Sequence, residues 1–386
     1  MLGGLHQNVR EAYFNAGMLC QLHLDLLYQC DLDCTHCYLD DKSRPILRTA
    51  FWMDVIDQAA ALSVFELVFS GGEVFLRKDA IDLMAHARSH GILVHVKSHG
   101  GGIDDALADR LADMGVSTVA ISYYSPIAEE HDAITRRPGS HAKTLAAMNR
   151  LNDRGVLVVA ACVVMDQNRG SYQALVAQCE ALGITVALDG EVRTALSGDR
   201  FPQDTGLELD AMVDFEKFKL NRDDACTVPS PANGWGAGKN CIAGSMALYV
   251  SPEGDLMPCV TWPEALGNLA KGDRLADLWH GAPRLRQIKA HTRDDREACR
   301  TCPVRQDCEF CMGQAFVETG DPYSGITTLC LTTRAKTLAR ARALGQPDPP
   351  LPAGLARLAE DDATPKAPSF RILNAAQVAA MARTGS

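Results

Sequence analysis

The chain has 386 residues, of which 47% are hydrophobic and 22% charged, and its net charge is −10. This length exceeds that of one ordinary domain and predicts two, with ample residues for a large core. The acidic balance argues against broad binding to a nucleic-acid backbone, and the sequence has neither an apolar run of membrane-spanning length nor the basic-then-apolar N-terminus of a signal peptide.

Residues 1–20 form an N-terminal segment that is too short for a domain. From residue 21 onward, apolar runs alternate with helical patterns at intervals suited to repeated βα units, and the runs cover residues 22–27, 66–69, 93–97, 118–122, 156–164 and 184–188. Near-continuous apolar strands with helical crossovers predict a parallel sheet covered by helices. Six such units over residues 21–225 predict an α/β fold, a partial (β/α)6 TIM-like barrel with its function in the loops after the strands.

Three cysteines, Cys30, Cys34 and Cys37, follow the first predicted strand. Cysteines separated by three and then two residues can bind three irons of a 4Fe–4S cluster and leave the fourth iron without a protein ligand. A simple electron carrier would supply a fourth cysteine. The alternatives at this point are a zinc knuckle and buried thiols of the core.

The cysteine stretch resembles the CxxxCx(aromatic)C loop of the radical S-adenosylmethionine (SAM) enzymes, with His36 at the aromatic position. In that family the amine and carboxylate of the methionine bind the open iron. An electron from the cluster then cleaves the sulfonium and releases a 5′-deoxyadenosyl radical. The resemblance therefore implies a catalytic 4Fe–4S cluster and SAM as cofactors.

The second predicted strand runs into Gly71, Gly72 and Glu73. Two glycines let a backbone approach a ligand closely, and a carboxylate can receive an ammonium group. The stretch resembles the GGE motif of the same family, in which the backbone and the acid hold the methionine amine. A tight βα turn without a ligand is the alternative.

The third and fourth predicted strands also end in candidate cofactor residues. Ser98 opens a glycine-rich turn where the family commonly has Thr-Asn-Gly, and Ser122 resembles the serine of its fourth strand. The resemblance implies a contact of Ser122 with the cofactor, and of either Arg136 or Arg137 with its ribose or carboxylate; Arg136 is the candidate.

A His-Asp pair precedes these arginines. His131 and Asp132 are about as suited to capping a helix as to contacting a substrate.

Residues 190–239 are rich in turn formers and predict a bridge to a second domain over residues 226–345. A hairpin is expected through residues 251–255. Seven cysteines follow the bridge in paired steps: Cys241, Cys259, Cys299, Cys302, Cys308, Cys311 and Cys330. The chain has fourteen cysteines, and in a cytosolic protein such a pattern indicates zinc or iron–sulfur binding rather than disulfides.

This pattern resembles the SPASM extension of radical SAM peptide-modifying enzymes, apart from the two rather than three residues between Cys308 and Cys311. The resemblance implies two auxiliary 4Fe–4S clusters. One would be held by Cys299, Cys302, Cys308 and Cys330, and the other by Cys241, Cys259 and Cys311. Cys226 is the hypothetical fourth ligand of the latter; the alternatives are an open site for substrate and a free thiol.

Residues 346–386 form a proline-rich tail that is expected to be a solvated terminus, with a partner-binding segment as the alternative.

The resemblances cover about residues 20–335 and imply a cytoplasmic maturase. It would abstract a hydrogen from a ribosomally made peptide or protein and install a cross-link, a thioether or another oxidative modification. Its partners would be this substrate, an electron donor of the flavodoxin or ferredoxin type and a separate leader-binding protein. No catalytic side chain is identified.

Two other functions stay open. A formylglycine-generating sulfatase maturase would typically have an aspartate base after the cysteine that is Cys259 here, and this chain has Val260. A non-catalytic iron–sulfur or zinc scaffold would keep the later cysteines but would not need the three-cysteine loop followed by Gly-Gly-Glu.

Overall fold

The computed structural model describes residues 2–222, 241–325 and 327–360. The chain divides into two compact units, Met1–Asp189 with Ile242–Ala290 and Gly190–Cys241 with His291–Ser386. The domain boundaries expected after residues 20, 225 and 345 remain predictions, because these compact units describe packing and not family domains.

One nine-stranded sheet organises the first unit, with the order β6-β5-β4-β3-β2-β1-β7-β8-β9. Strands β1 to β6 pair in parallel with their neighbours in sequence, β7 adds to β1 in parallel, and β8 and β9 continue the sheet in antiparallel fashion. This confirms the parallel βα sheet of a partial barrel. The strands are Gln21–Asp25, Glu66–Ser70, Leu93–Ser98, Thr118–Ser122, Val158–Val163, Thr185–Asp189, Ala247–Val250, Asp255–Met257 and Gly267–Asn268.

Helices α1 to α7, α9 and α10 belong to the first unit, and α8 and α11 to α14 to the second. The helices α1 to α14 are Leu2–Asn15, Thr49–Ala61, Ala80–Ser89, Asp105–Asp113, Ala128–Thr135, Ser140–Asp153, Tyr172–Ala181, Leu209–Leu220, Leu275–Gly281, Pro283–Ala290, Glu297–Arg300, Met312–Thr319, Thr327–Ala343 and Ala353–Glu360.

The two faces of β1 differ in chemistry. Successive side chains of a strand point to opposite faces. Leu22 and Leu24 are 0% exposed, whereas the alternate positions are the polar residues Gln21, His23 and Asp25. The apolar face joins the core of the unit, and the polar face carries the groups that line the site described below.

The second unit has a helical core. Val213 of α8 packs with Ala335, Leu338 and Ala339 of α13, all of them buried. α13 spans seventeen residues and is the longest of the described helices.

The expectation of a solvated tail is wrong for residues 349–355. Arg334 of α13 is 3% exposed, and its Nη1 donates a hydrogen bond to the carbonyl oxygen of Pro349. Pro352 is buried and Leu355 of α14 is 0% exposed. The segment docks because α13 offers both a buried donor and an apolar surface. Residues 361–386 lie outside the described part of the chain.

Among the described helices, none is both long enough and apolar enough to cross a bilayer.

Candidate active site and cluster-binding residues

The three predicted cluster cysteines lie on the loop that leaves β1. Cys30, Cys34 and Cys37 all line one cavity of about 260 Å³ at the carboxyl ends of the parallel strands. The backbone of this loop is fixed by the end of α5, since Asp33 N–H donates to Thr135 O at 3.1 Å and Thr35 N–H to Ile134 O at 2.9 Å. The thiols are therefore held in place by backbone hydrogen bonds.

The donor set of this loop fits an iron–sulfur cluster with one open iron. Among the described residues that line the cavity, the cysteines are these three. Burial, and after it the charges of Cys37 and Cys30, raise the pKa of Cys34 to about 12. The Cys34 thiol therefore keeps its proton until a metal displaces it, which is the behaviour of a buried soft-metal ligand. The described lining residues offer no fourth thiol for a closed cluster.

The Gly-Gly-Glu turn packs directly on the backbone that leads into the cysteine loop. Gly72 N–H donates to Leu27 O and Glu73 N–H to Gln29 O, both at 2.9 Å. A Cβ at Gly71 would lie 2.1 Å from Leu27 O, and one at Gly72 would lie 2.3 Å from Gln29 O. Both glycines are thus required by the close approach of two loops, and both line the cavity.

The Glu73 carboxylate is bound by groups of the protein itself, and its contact with the methionine amine stays a prediction. Its carboxylate is 2% exposed and accepts hydrogen bonds from Ser98 Oγ at 2.8 and 3.0 Å, from His99 N–H at 2.9 Å and from Phe75 N–H at 3.1 Å. The acid therefore fastens the turn after β3 to the Gly-Gly-Glu turn. The cavity surface at this motif is formed by Gly71 and Gly72, beside Ser98.

His99 is a site residue that the sequence reasoning missed. Its Nε2 lies 2.8 Å from Asp31 Oδ1 and 3.2 Å from Glu73 Oε2. Burial lowers the pKa of His99, but a hydrogen bond with Cys30 and the charges of Glu73, Cys30 and Asp31 outweigh burial and raise it to about 9. In the neutral form of the ring, Nδ1 accepts a hydrogen bond from Gly101 N–H at 3.0 Å and the proton is on Nε2. The signal in the sequence was a histidine directly after the strand-end serine.

A second missed group lies on the polar face of β1. His23 lines the cavity, and its Nε2 donates to Asp25 Oδ1 at 3.0 Å. Tyr249 OH donates to the other oxygen of Asp25 at 2.9 Å, and the hydroxyls of Tyr249 and Tyr28 are 2.8 Å apart. Burial lowers the pKa of His23, more than Asp25 raises it. The ring is therefore neutral near pH 7.

The predicted residues after β4 divide between the cavity and the surface. Ser122 lines the cavity, and its contact with the cofactor stays a prediction. Arg136 does not: its side chain is 57% exposed and pairs with Asp33 of the cysteine loop at 3.0 Å. Arg137, the alternative, is also exposed. Arg136 ends α5 with a left-handed φ of 53°, and this turn carries its side chain to the cysteine loop rather than into the cavity.

Of the His-Asp pair, Asp132 caps a helix and His131 does not. The Asp132 carboxylate accepts hydrogen bonds at the start of α6 from Gly139 N–H at 2.5 Å, Ser140 Oγ at 2.9 Å and His141 N–H at 2.8 Å. His131 is 0% exposed and its Nδ1 accepts from Tyr124 N–H at 3.2 Å. Both residues stabilise the loop around the site.

Four of the later cysteines line a separate cavity in the second unit: Cys299, Cys302, Cys308 and Cys330. Burial, and after it the charges of Cys308, Cys299 and Cys302, raise the pKa of Cys330 to about 12 despite a backbone hydrogen bond from Gly354. Four thiols around one cavity match the ligand set of a closed 4Fe–4S cluster.

The other auxiliary set stays a prediction. Cys259 belongs to the first unit, whereas Cys241 and Cys311 belong to the second. Cys311 Sγ accepts from Gln314 N–H at the start of α12, at 3.4 Å. Cys226 lies outside the described residues. All thirteen described cysteines are free of disulfide bonds.

Comparison with known proteins gives two family matches. The model of the radical SAM superfamily matches residues 26–178, and the model of the SPASM iron–sulfur cluster-binding domain matches residues 241–303.

The chain is also similar to named proteins. It is 26% identical over 324 residues to the PqqA peptide cyclase of Granulibacter bethesdensis, covering 77% of this chain and 83% of that one. It is 28% identical over 325 residues to the mycofactocin maturase MftC of Mycobacterium ulcerans, covering 80% and 86%. The crystal structure of Streptococcus suis SuiB bound to precursor peptide SuiA has the same fold, with a TM-score of 0.64 at 18% identity over 84% of this chain and 80% of that one.

Proposed function

Because the chain is a member of the radical SAM superfamily with a SPASM iron–sulfur cluster-binding domain, we propose that it is a maturase acting on a ribosomally synthesised peptide or protein. The observation that carries the proposal is the single cavity lined by Cys30, Cys34, Cys37 and the two glycines of the Gly-Gly-Glu turn. The names of the relatives support the peptide substrate: a PqqA peptide cyclase, a mycofactocin maturase and a SuiB structure with its precursor peptide.

When bound, the catalytic cluster with SAM supplies a 5′-deoxyadenosyl radical, and the auxiliary clusters supply an acceptor for the electron that substrate oxidation releases. The chain's own residues position these groups. The cysteine loop holds the catalytic cluster, while Gly71, Gly72, Ser98 and Ser122 offer polar atoms to SAM along the cavity wall. Cys299 and its three partners hold one auxiliary cluster.

His23 provides a place for the proton that the substrate loses. A substrate that has given up a hydrogen atom becomes a closed-shell product by losing one electron and one proton. Because His23 Nε2 donates to Asp25, the neutral ring keeps Nδ1 as an acceptor, and Tyr249 holds Asp25 in place. General bases held in this way contribute about 10²–10⁴ in rate.

The formylglycine alternative is weaker on structural grounds. Val260 stands after Cys259, and it lines the cavity where that alternative needs a base. A valine cannot accept a proton. A non-catalytic scaffold, the remaining alternative, has no use for a three-cysteine cavity beside a strand-end glycine turn.

We propose three further features of the working system. An external flavodoxin- or ferredoxin-type donor supplies the electron for SAM cleavage, a separate protein binds the leader of the substrate, and the enzyme works in the cytoplasm. Thirteen free cysteines support a reducing compartment.

The proposal is tested by anaerobic reconstitution with iron and sulfide, followed by dithionite and SAM. Wild type is expected to release 5′-deoxyadenosine, and a triple variant with Cys30, Cys34 and Cys37 changed to alanine is expected to release none while it retains iron elsewhere. Cys179→Ala, which removes a buried thiol outside both cluster cavities, is the matched control. Release by the triple variant would overturn the assignment.

The substrate class is tested by co-expression with the short peptides encoded beside the gene. Mass spectrometry is expected to show loss of hydrogen from one of them with wild type and not with the triple variant. If 5′-deoxyadenosine is released but only a non-peptide acceptor is modified, the enzyme is a radical SAM enzyme of another substrate class.

A further inference from the structure

A buried cation lies beside the four-cysteine cavity of the second unit. Arg296 is 6% exposed and lines this cavity, and its guanidinium carbon sits 4.1 Å from the ring centre of Phe310. Its Nε is buried and has no hydrogen-bond partner among the residues that the structure describes. Burial lowers the pKa of Arg296, and the charges of Cys299 and Cys308 act in the opposite direction.

Burying a cation is costly unless an anion compensates it. Arg305 lines the same cavity and shows the contrast, because its Nη2 donates to Asp294 Oδ1 at 2.6 Å and its charge is thereby neutralised. No carboxylate pairs with Arg296 within the described ranges. An anionic group bound in the cavity would supply this compensation.

The first turn of α14 lies directly on two of the four thiols. Ala353 N–H donates to Cys302 Sγ at 3.4 Å, and the backbone of Gly354 hydrogen-bonds to Cys330. A Cβ at Gly354 would lie 2.6 Å from Cys330 Sγ, so a larger residue would displace this thiol. The buried side chain of Leu355 keeps the turn in place.

We propose that Arg296 and the N-terminus of α14 hold the cluster of Cys299, Cys302, Cys308 and Cys330 at a raised reduction potential, which makes this site an electron acceptor. This inference rests on the proposed function, because it takes the bound group to be a 4Fe–4S cluster. A cluster with four thiolates is anionic and gains one more negative charge on reduction. A buried cation and N–H groups directed at the sulfurs stabilise the reduced form more than the oxidised one.

The docked residues 352–354 of the tail therefore belong to the surroundings of this cluster. Residues 352–354 follow all of the cysteines in sequence and lie beyond the region that the SPASM model matches. Ala353 and Gly354 complete the surroundings of the cluster with backbone N–H donors.

The test is an anaerobic redox titration followed by EPR, in the variant that lacks Cys30, Cys34 and Cys37. The signal that disappears in Cys302→Ala identifies the site. Arg296→Met keeps the bulk and removes the charge, and it is expected to lower the midpoint potential by at least the equivalent of a tenfold change in the one-electron equilibrium, about 59 mV. Arg296→Lys is expected to recover most of this shift.

Two further variants sharpen the test. Arg305→Met is the matched control and is expected to shift the potential less, because Asp294 already neutralises Arg305. Gly354→Ala is expected to lower the potential and to speed the loss of iron to a chelator. Iron content and circular dichroism show whether each variant is folded and loaded; if Arg296→Met is not, Arg296→Gln takes its place.

The outcomes separate the two proposals. An unchanged midpoint potential in loaded Arg296→Met overturns the tuning role and leaves the maturase function intact. Zinc instead of iron at these four cysteines overturns the inference together with the auxiliary-cluster assignment, while 5′-deoxyadenosine release still reports on the catalytic loop.

Discussion

Gly71→Ala is expected to separate the two loops that form the catalytic cavity. The added Cβ would lie 2.1 Å from Leu27 O, a backbone atom that cannot rotate away, and the residue has a φ of +133°. Overpacking costs about 1–3 kcal/mol and a strained backbone conformation about 1–3 kcal/mol more. The total of roughly 2–6 kcal/mol corresponds to a fall in melting temperature on the order of 10 °C for a unit of this size.

The assay is thermal unfolding of the metal-free protein, followed by circular dichroism. Gly102→Ala is the matched control, because a Cβ there meets no atom within 4 Å and the backbone is not left-handed. It is expected to melt close to wild type. In the reconstituted protein, Gly71→Ala is also expected to bind SAM more weakly. If both alanine variants melt at the same temperature, the close approach of the loops does not constrain this position.

Three other substitutions test the site and its support. Burial raises the pKa of Glu66, but a hydrogen bond with His6, a 3.1 Å contact with His95 and the charge of Arg10 outweigh it and hold the pKa at about 2. Since this pKa is below the ordinary value, the ionised Glu66 stabilises the folded protein above about pH 4.5. Roughly 3 kcal/mol of that stabilisation is lost as the pH falls to 2. Urea titrations at both pH values should find a smaller loss in Glu66→Gln. His23→Gln should lower the rate of peptide modification by a factor of about 10²–10⁴ and leave the release of 5′-deoxyadenosine nearly unchanged. Equal losses in both rates would make His23 a structural residue. Glu73→Gln weakens the acceptor of the Ser98 and His99 hydrogen bonds and should cost about 1.5–3 kcal/mol in urea unfolding, whereas wild-type stability would show that the carboxylate faces a ligand instead.

The parts of the fold that depend on local pattern could be predicted from the sequence. The six parallel strands coincide with the apolar runs, and the expected turn at residues 251–255 joins the antiparallel pair β7 and β8. Strand periodicity and turn chemistry act over a few residues, so they are visible in one sequence. The pairing of β7 with β1 links positions more than two hundred residues apart, and no local signal shows it.

The sequence predicts the parts of the site that depend on the spacing of residues, but not the parts that depend on the direction of a side chain. Cys30, Cys34 and Cys37 lie together because only three residues separate the first two and only two separate the last two. Glu73 and Arg136 were placed by motif alone. In the structure, the local turns direct Glu73 toward Ser98 and Arg136 toward Asp33. The docking of the tail depends on Arg334 and Leu355. Arg334 bonds to a carbonyl fifteen residues away, and the sequence pattern does not show that either side chain is buried.

The polar lining of the sheet explains why a chain with ordinary hydrophobicity has this architecture. A closed eight-stranded barrel fills its interior with branched aliphatic side chains. Here the cavity is lined by His23, Lys97 and Ser122, while the neighbouring positions Leu22 and Val96 are buried on the opposite face. Burying polar groups is costly unless they find partners. Asp25 has them in His23 and Tyr249, and the cavity groups meet solvent or a ligand. Stability therefore depends on the apolar face, and substitutions on the polar face should change binding and proton transfer before they unfold the sheet.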